Sequence, residues 1–195
     1  HSDHIHCAGV FHRKFGLPIH MTRTTHQATY CNLGPLSDVR YFQAGEPLQF
    51  NGVTVHTLPT PHDAADGVAF IIEHEGKRLG IFTDLGHPFP ELARWLGDLD
   101  ACYLESNYDP DMLANGPYPY ALQQRIRGAG GHLSNQESAD LIRTAGPRLG
   151  WAVLAHLSEH NNHPQLALDT HHQCLGRDYP LHVASRYEVS DLFTV

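Results

Sequence analysis

The 195-residue sequence predicts a mixed α/β fold in which sheets are covered by helices. Two pairs of strand-like segments flank the turn dipeptides Asn51-Gly52 and Glu75-Gly76, and this arrangement is typical of hairpins. Two later apolar runs, residues 101–104 and 151–154, indicate buried strands. The length suits a single domain over residues 1–195 with a substantial core.

The remaining elements follow from apolar spacing and from helix stop signals. Apolar residues recur at helical spacing over residues 5–15, and Gly16 provides a C-terminal stop. A short strand is predicted at residues 17–21 and a helix at residues 22–30. Further helices are predicted over residues 90–96, 120–127, 136–144 and 164–174.

Composition narrows the class of protein. The 13 basic and 21 acidic residues give a net charge of −8, which does not favour loose electrostatic binding to nucleic acid. No apolar run is long enough to predict a membrane span. The four cysteines lie far apart without a C-x-x-C pair, so we expect reduced thiols in a cytoplasmic protein rather than a zinc ribbon. They are Cys7, Cys31, Cys102 and Cys174.

Histidines and aspartates in a distinctive order predict a metal site. The chain starts with H-x-D-H, and further candidates follow predicted strands, where a rigid scaffold presents polar side chains on loops. Neutral imidazole and ionised carboxylate are ligands that zinc prefers. With 17 histidines in the chain, one of them alone is as readily explained by a buried hydrogen bond, and one aspartate by a helix cap. The candidate ligands are His1, Asp3, His4, His62, Asp84 and His156.

The ordered set resembles the metallo-β-lactamase superfamily, whose motif is H-x-H-x-D-H. His1 corresponds to the second histidine of that motif, so the resemblance implies that the N-terminal portion of the domain is missing. Within the superfamily the chain is similar to the WalJ/YycJ-like exonuclease branch, although Tyr108 stands where that branch would have a histidine. The segments that carry this similarity are residues 61–66, 83–86, 105–109, 112–113, 118–119, 131–135 and 156–162.

The resemblance implies an αββα sandwich that lacks part of its N-terminal sheet. It also implies two divalent metal ions, with zinc as the first expectation and manganese as the second. His1 and His62 would hold one ion, with Asp84 bridging to the other. The second ion would be held by Asp3, His4 and His156.

The implied activity is a dinuclear phosphodiesterase or exonuclease that cleaves nucleic acid through a metal-bridging hydroxide. Asp3 is expected to orient the nucleophile, and His132 to contact the scissile phosphate or assist the leaving oxygen. The N-terminal amides of the helix that follows His132 are a further candidate contact for phosphate. Ser106 and Asn107 are candidates for hydrogen bonds to substrate.

Two alternatives stay open at this point. Another hydrolase of the same fold would cleave a lactone, a thioester or a β-lactam, because the fold does not decide the substrate. An inactive fragment is the other alternative, because the first histidine of the motif is absent from the sequence.

Overall fold

The computed structural model describes the backbone of residues 1–195 and the side chains of residues 1–29 and 32–195. The helices are α1 (Ser2–Ile5), α2 (Ala8–Phe15), α3 (Arg23–Leu33), α4 (Pro90–Asp98), α5 (Pro110–Asn115), α6 (Tyr120–Arg127), α7 (Asn135–Ala145) and α8 (Pro164–Leu175). The strands are β1 (Ile19–Met21), β2 (Val39–Tyr41), β3 (Leu48–Phe50), β4 (Val53–Pro59), β5 (Val68–His74), β6 (Lys77–Phe82), β7 (Ala101–Glu105), β8 (Trp151–Ala155) and β9 (Leu181–Val183). The mixed α/β class predicted from the sequence is confirmed.

Seven strands form one mixed sheet in the order β3-β4-β5-β6-β7-β8-β9, and β1 and β2 form a separate parallel pair. Strands β3 to β6 are antiparallel neighbours, whereas β6 to β9 run parallel. The two predicted hairpins are confirmed. Asn51 and Gly52 have φ angles of 47° and 91°, and Glu75 and Gly76 have 48° and 79°. Positive φ at both central residues matches the type I′ turns that two-residue hairpins favour.

Strand direction determines where the polar loops meet. Strands β6, β7 and β8 are parallel, so their carboxyl ends lie at one edge of the sheet. Strand β4 is antiparallel to β5, which is antiparallel to β6, so β4 ends at that same edge. The residues that follow these four ends include His62, Asp84 and His156, and Glu105 is the last residue of β7.

The main core lies between the sheet and three helices. Phe82, Leu104 and Leu154 on neighbouring strands are fully buried and belong to one apolar cluster with side chains of α4, α7 and α8. Helix α7 begins with a capping box, in which Ser134 and Glu137 satisfy each other's backbone amides. Helices α4 and α8 begin with a proline in the first turn, which removes one of the amides that a helix N-terminus leaves without a partner. This rigid layer supports the polar edge of the sheet.

Several short elements were not predicted. Strands β2 and β9 have three residues each, too few for an alternating pattern to stand out. Helix α5 is also short, although Asp109 caps it and Pro110 occupies its first turn. The single helix predicted over residues 5–15 is two helices, and the prediction that Gly16 ends it is confirmed, with a left-handed φ of 66°.

Three of the four cysteines can be assessed. Cys7, Cys102 and Cys174 are free thiols, and burial raises the pKa of Cys102 to about 12. The side chain of Cys31 lies outside the described residues. Among the described residues, no helix combines the length and the apolar character that a bilayer span requires.

His171 is buried between α7 and α8 and provides a test of the packing of these helices. Its Nδ1 donates to the carbonyl of Ala167 at 2.8 Å, and Nε2 lies 3.2 Å from the Ser138 hydroxyl. Burial lowers the pKa of His171 to about 4. Between pH 6.5 and 4, His171 therefore binds a proton in the unfolded chain but stays neutral in the native protein. We expect the free energy of unfolding to fall by roughly 3 kcal/mol over this range because of His171.

Urea unfolding of the wild type and of His171→Gln at pH 7, 5.5 and 4, with a chelator present, measures this contribution. The variant should lose less stability on acidification than the wild type. His74→Gln, at a half-exposed surface position, is the control and should follow the wild type. Parallel curves for the wild type and His171→Gln would contradict the prediction.

Candidate metal centre

Asp84 lies at the centre of a cluster of imidazoles at the polar edge of the sheet. Its Oδ2 is 2.6 Å from Nε2 of His4. Its Oδ1 is 3.5 Å from Nε2 of His62 and 3.8 Å from Nε2 of His156. One carboxylate is therefore near three imidazoles, two beside Oδ1 and one beside Oδ2.

The first group of donors consists of His1 and His62. Nδ1 of His62 donates to the carbonyl of Gly131 at 2.8 Å, which leaves its Nε2 free to accept a metal ion. That Nε2 lies 3.1 Å from Nδ1 of His1. Oδ1 of Asp63 is 3.5 Å from Nε2 of His1, and the same carboxylate forms a bidentate ion pair with Arg125. Asp63 thus connects Arg125 to the metal-facing histidines.

The second group of donors consists of Asp3, His4 and His156. Oδ2 of Asp3 lies 3.4 Å from Nε2 of His4 and 3.4 Å from Nε2 of His156. Asp3 and His4 both lie on α1, so the short H-x-D-H spacing places both side chains beside the sheet edge. The six predicted ligands therefore converge on one region of the molecule.

Glu105 holds two histidines of the cluster by hydrogen bonds, and it was not predicted to take part. The side chain is fully buried, and one carboxylate oxygen accepts hydrogen bonds from Nδ1 of His132 at 2.7 Å and Nδ1 of His156 at 2.9 Å. The other oxygen accepts from the backbone amides of Leu85 and Leu133. Since a carboxylate can only accept, both imidazoles carry their proton on Nδ1 and leave Nε2 available. A signal existed in the sequence, because Glu105 ends an apolar strand just as Asp84 and His156 follow theirs.

The electrostatics of the cluster favour positive charge. Burial raises the pKa of Glu105, but hydrogen bonds from His132 and His156 outweigh it and lower this pKa to about 2. Burial raises the pKa of Asp84, but the hydrogen bond from His4 and the charges of His156, His4 and His62 together outweigh burial and hold this pKa well below its usual range. Burial lowers the pKa of His156, but its contact with Glu105 prevails and raises this pKa to about 9. Ionised carboxylates beside imidazoles therefore give the pocket an affinity for protons or other cations.

The backbone is strained at Asp84 and His156, two candidate ligands that follow strand ends. Asp84 and His156 have φ angles of 55° and 57°, in the left-handed region that few residues other than glycine adopt. The amide nitrogen of Asn107 donates to the carbonyl of His156 at 2.8 Å and helps to hold that conformation. Such outliers persist where surrounding contacts determine them, and they cluster at functional sites.

His132 joins the cluster, but the helix that follows it does not offer a phosphate site. The rings of His132 and His62 have centroids 4.9 Å apart, and the His132 side chain lines the cleft above the cluster. The predicted contact between phosphate and the N-terminus of α7 is not supported. The capping box already engages the amides of Ser134 and Glu137, the amide of Asn135 donates to the carbonyl of Tyr108, and the Glu137 carboxylate would repel an anion.

The structure gives Ser106 a structural role and not the predicted substrate contact. Its hydroxyl is fully buried and donates to Oδ1 of Asn135 at 2.6 Å. Asn162 completes this buried network by donating to the Ser106 carbonyl and to Asn135. Asn107 does line the cleft, although its amide nitrogen is engaged with His156. Tyr108 is buried and lies outside the residues that line the cleft.

The donor set fits divalent cations. Three groups of side chains place nitrogen or oxygen atoms within 4.8 Å of one another, and together they include all six predicted ligands. Two groups share His156, and one group adds Glu105 and His132 to Asp84. Imidazole and carboxylate donors without a thiolate accept zinc or manganese.

Comparisons with known proteins agree with this geometry. No family model matches the chain. Exodeoxyribonuclease WalJ of Streptococcus pneumoniae is 33% identical over 172 residues, covering 86% of this chain and 64% of the relative. The metallo-β-lactamase fold protein YhfI of Bacillus subtilis superposes with a TM-score of 0.65 at 18% identity, covering 86% of this chain and 61% of that one. The chain is similar to WalJ over most of its length, and it has the metallo-β-lactamase fold.

The superfamily fold is also shared with a structure that holds a metal. Zn²⁺-bound PqqB from Methylobacterium extorquens superposes with a TM-score of 0.66 at 17% identity, covering 95% of this chain and 69% of PqqB. The chain is similar to WalJ and spans 64% of the length of that relative. The fold that the sequence motifs implied is therefore confirmed, and the similarity to the WalJ branch is borne out over 172 residues.

Proposed function

We propose that this protein is a metal-dependent hydrolase with two divalent ions that cleaves phosphodiester bonds of nucleic acid as an exonuclease. The position of Asp84 between two groups of imidazoles carries the proposal, because a shared carboxylate is what two neighbouring cations require. The similarity to a relative named exodeoxyribonuclease supports the choice of substrate.

The ions would be held by residues already in contact. His1 and His62 would bind one ion, and Asp84 would serve both. When bound, such a pair lowers the pKa of a water molecule toward neutrality and clamps the oxygens of an in-line displacement. Zinc is the first choice, since a structural relative is named as Zn²⁺-bound, and the donor set accepts manganese as well. The second ion would be held by Asp3, His4 and His156.

The side chains around the ions would position the reacting groups. Asp3 is more than half exposed and near both His4 and His156, so its free oxygen can orient the nucleophile. His132 keeps its proton on Nδ1 for Glu105, which leaves Nε2 for a phosphate oxygen or the leaving oxygen. Asn107 would act mainly through His156. Cytoplasmic localisation and a single domain over residues 1–195 stay predictions.

A panel assay tests the proposed substrate class. Labelled duplex DNA, single-stranded DNA, RNA, a generic phosphodiester and a β-lactam would each be incubated with zinc and with manganese. We expect cleavage of DNA and no turnover of the β-lactam. Turnover confined to the β-lactam would overturn the proposal and favour a different hydrolase of the same fold.

His132→Ala tests the role of the imidazole beside the ions. We expect kcat for DNA cleavage to fall by about 10²- to 10⁴-fold, the usual contribution of a positioned acid or base. Metal content, measured by elemental analysis, should stay at the wild-type value because His132 is not one of the proposed ligands. His74→Ala is a surface control. Unchanged turnover in His132→Ala would remove His132 from the mechanism.

A further inference from the structure

One wall of the cleft beside the metal centre is apolar. The cleft has a volume of about 1240 Å³, and Leu122 and Ile126 of α6 line it. These residues are four positions apart and therefore lie on one face of the helix. No residue of α6 is fully buried, so this face is turned to the cleft and not to the core. Such a face is suited to a flat apolar ligand group.

The apolar wall begins beside the cluster of candidate metal ligands and extends away from it. The backbone amide of His132 donates to the carbonyl of Ile126 at 2.9 Å, so this end of α6 is adjacent to the cluster. Leu122 is one turn, or about 6 Å, further along the helix axis. Tyr118, two residues before α6, also lines the cleft, and its ring meets that of His160 edge-on with centroids 5.8 Å apart. We define Ile126, Leu122 and Tyr118 as the apolar strip.

The cleft is poor in free positive charge. Among the described residues that line it, Arg125 and Arg186 are the arginines, and no lysine is present. Arg125 is paired with Asp63, and Arg186 is paired with Glu159. With a net charge of −8 in addition, the wall is not suited to follow the phosphates of an intact duplex. An unpaired base, in contrast, presents a face that aromatic and apolar side chains can stack against.

We propose that the apolar strip binds the unpaired base of the nucleotide next to the scissile phosphate, so that a strand end must separate from its partner before it is cleaved. This inference rests on the proposed function. A duplex end would reach the ions only after its terminal pair opens, and the stability of that pair would then govern the rate.

Three DNA substrates of one sequence test the inference with the wild-type protein and its bound metal. The first has an unpaired terminal nucleotide, the second a terminal G·C pair, and the third an abasic terminal residue without a partner. We expect kcat/KM for the unpaired end to exceed that for the G·C end by about fivefold or more, and that for the abasic end by about tenfold, as base stacking of typical strength predicts. Equal values for all three substrates would overturn the inference and leave the exonuclease proposal standing. Failure to cleave any of them with metal bound would overturn both.

Variants of the strip separate its role from that of the metal centre. Tyr118→Ala should reduce the preference for the unpaired base over the abasic end to about twofold, whereas Tyr118→Phe should retain it. Leu122→Asn is a second test on a half-buried position and should act in the same direction. Tyr120→Ala is the matched control, because Tyr120 is 75% exposed and does not line the cleft. A wild-type preference in both Tyr118→Ala and Leu122→Asn would also overturn the inference.

Discussion

Replacing Asp84 with asparagine should abolish DNA cleavage and reduce metal content below two equivalents per chain. The carboxylate faces both groups of imidazoles, so its loss weakens both ions at once. Outer-shell substitutions typically cost about 10- to 100-fold in metal affinity, and we expect the loss of this shared ligand to cost more. Metal content by elemental analysis and affinity by chelator competition measure the effect.

Asparagine is the informative substitution at this position because it tolerates the left-handed backbone of Asp84. A folded variant can therefore be compared with the wild type. Asp140→Asn is the matched control, since Asp140 forms a surface ion pair with Arg143 on α7. Two equivalents of metal bound to Asp84→Asn with unchanged affinity would contradict the proposed bridging role.

Glu105→Gln should lower metal affinity by about 10- to 100-fold although Glu105 is not a proposed ligand. A glutamine amide has one accepting oxygen, and its nitrogen only donates. If the glutamine oxygen accepts from Nδ1 of His132 and Nδ1 of His156, its NH2 group faces two backbone amides, which are donors as well. The hydrogen bonds that Glu105 makes therefore cannot all form. One imidazole would change its tautomer or turn, and the nitrogen that faces the ions would no longer be correctly placed.

The comparison for Glu105→Gln is Glu91→Gln, an exposed position in the first turn of α4. Chelator competition should separate the two variants even where both fold with the same secondary structure. Glu105→Asp shortens the side chain but keeps the charge, and we expect it to recover part of the affinity. Wild-type affinity in Glu105→Gln would show that the buried carboxylate serves the fold alone.

The parts of the fold that depend on local pattern could be predicted from the sequence. The hairpin turns at Asn51-Gly52 and Glu75-Gly76 require positive φ, and these residues supply it. Helix α6 has the predicted bounds of residues 120 and 127, since Pro119 and Gly128 delimit it. Motif order predicted the convergence of the ligands, because each of His62, Asp84 and His156 follows the end of a strand.

What could not be predicted depends on contacts between distant segments. Glu105 bonds with His132 and His156, which lie 27 and 51 positions further along the chain. The parallel register of β7 and β8 pairs Glu105 with Ala155 and so brings His156 beside it. His132 is brought there by a loop contact, in which the amide of Asn107 donates to the carbonyl of Leu133. Ser106, next to Glu105, points into a buried network with Asn135 instead of into the cleft. Adjacent residues of a strand end face opposite ways, so position in the sequence alone cannot assign their roles.

The spread of the proposed ligands along the chain would make metal supply a determinant of stability. Donors from residue 1 to residue 156 meet only in the native state, so an unfolded chain cannot gather the complete set. By mass action, free metal at about one hundred times its dissociation constant would add roughly 2.7 kcal/mol per ion to the free energy of unfolding. The thermal midpoint should therefore rise with metal concentration and fall with chelation, so the ions would act as a folding cofactor as well as a catalytic one.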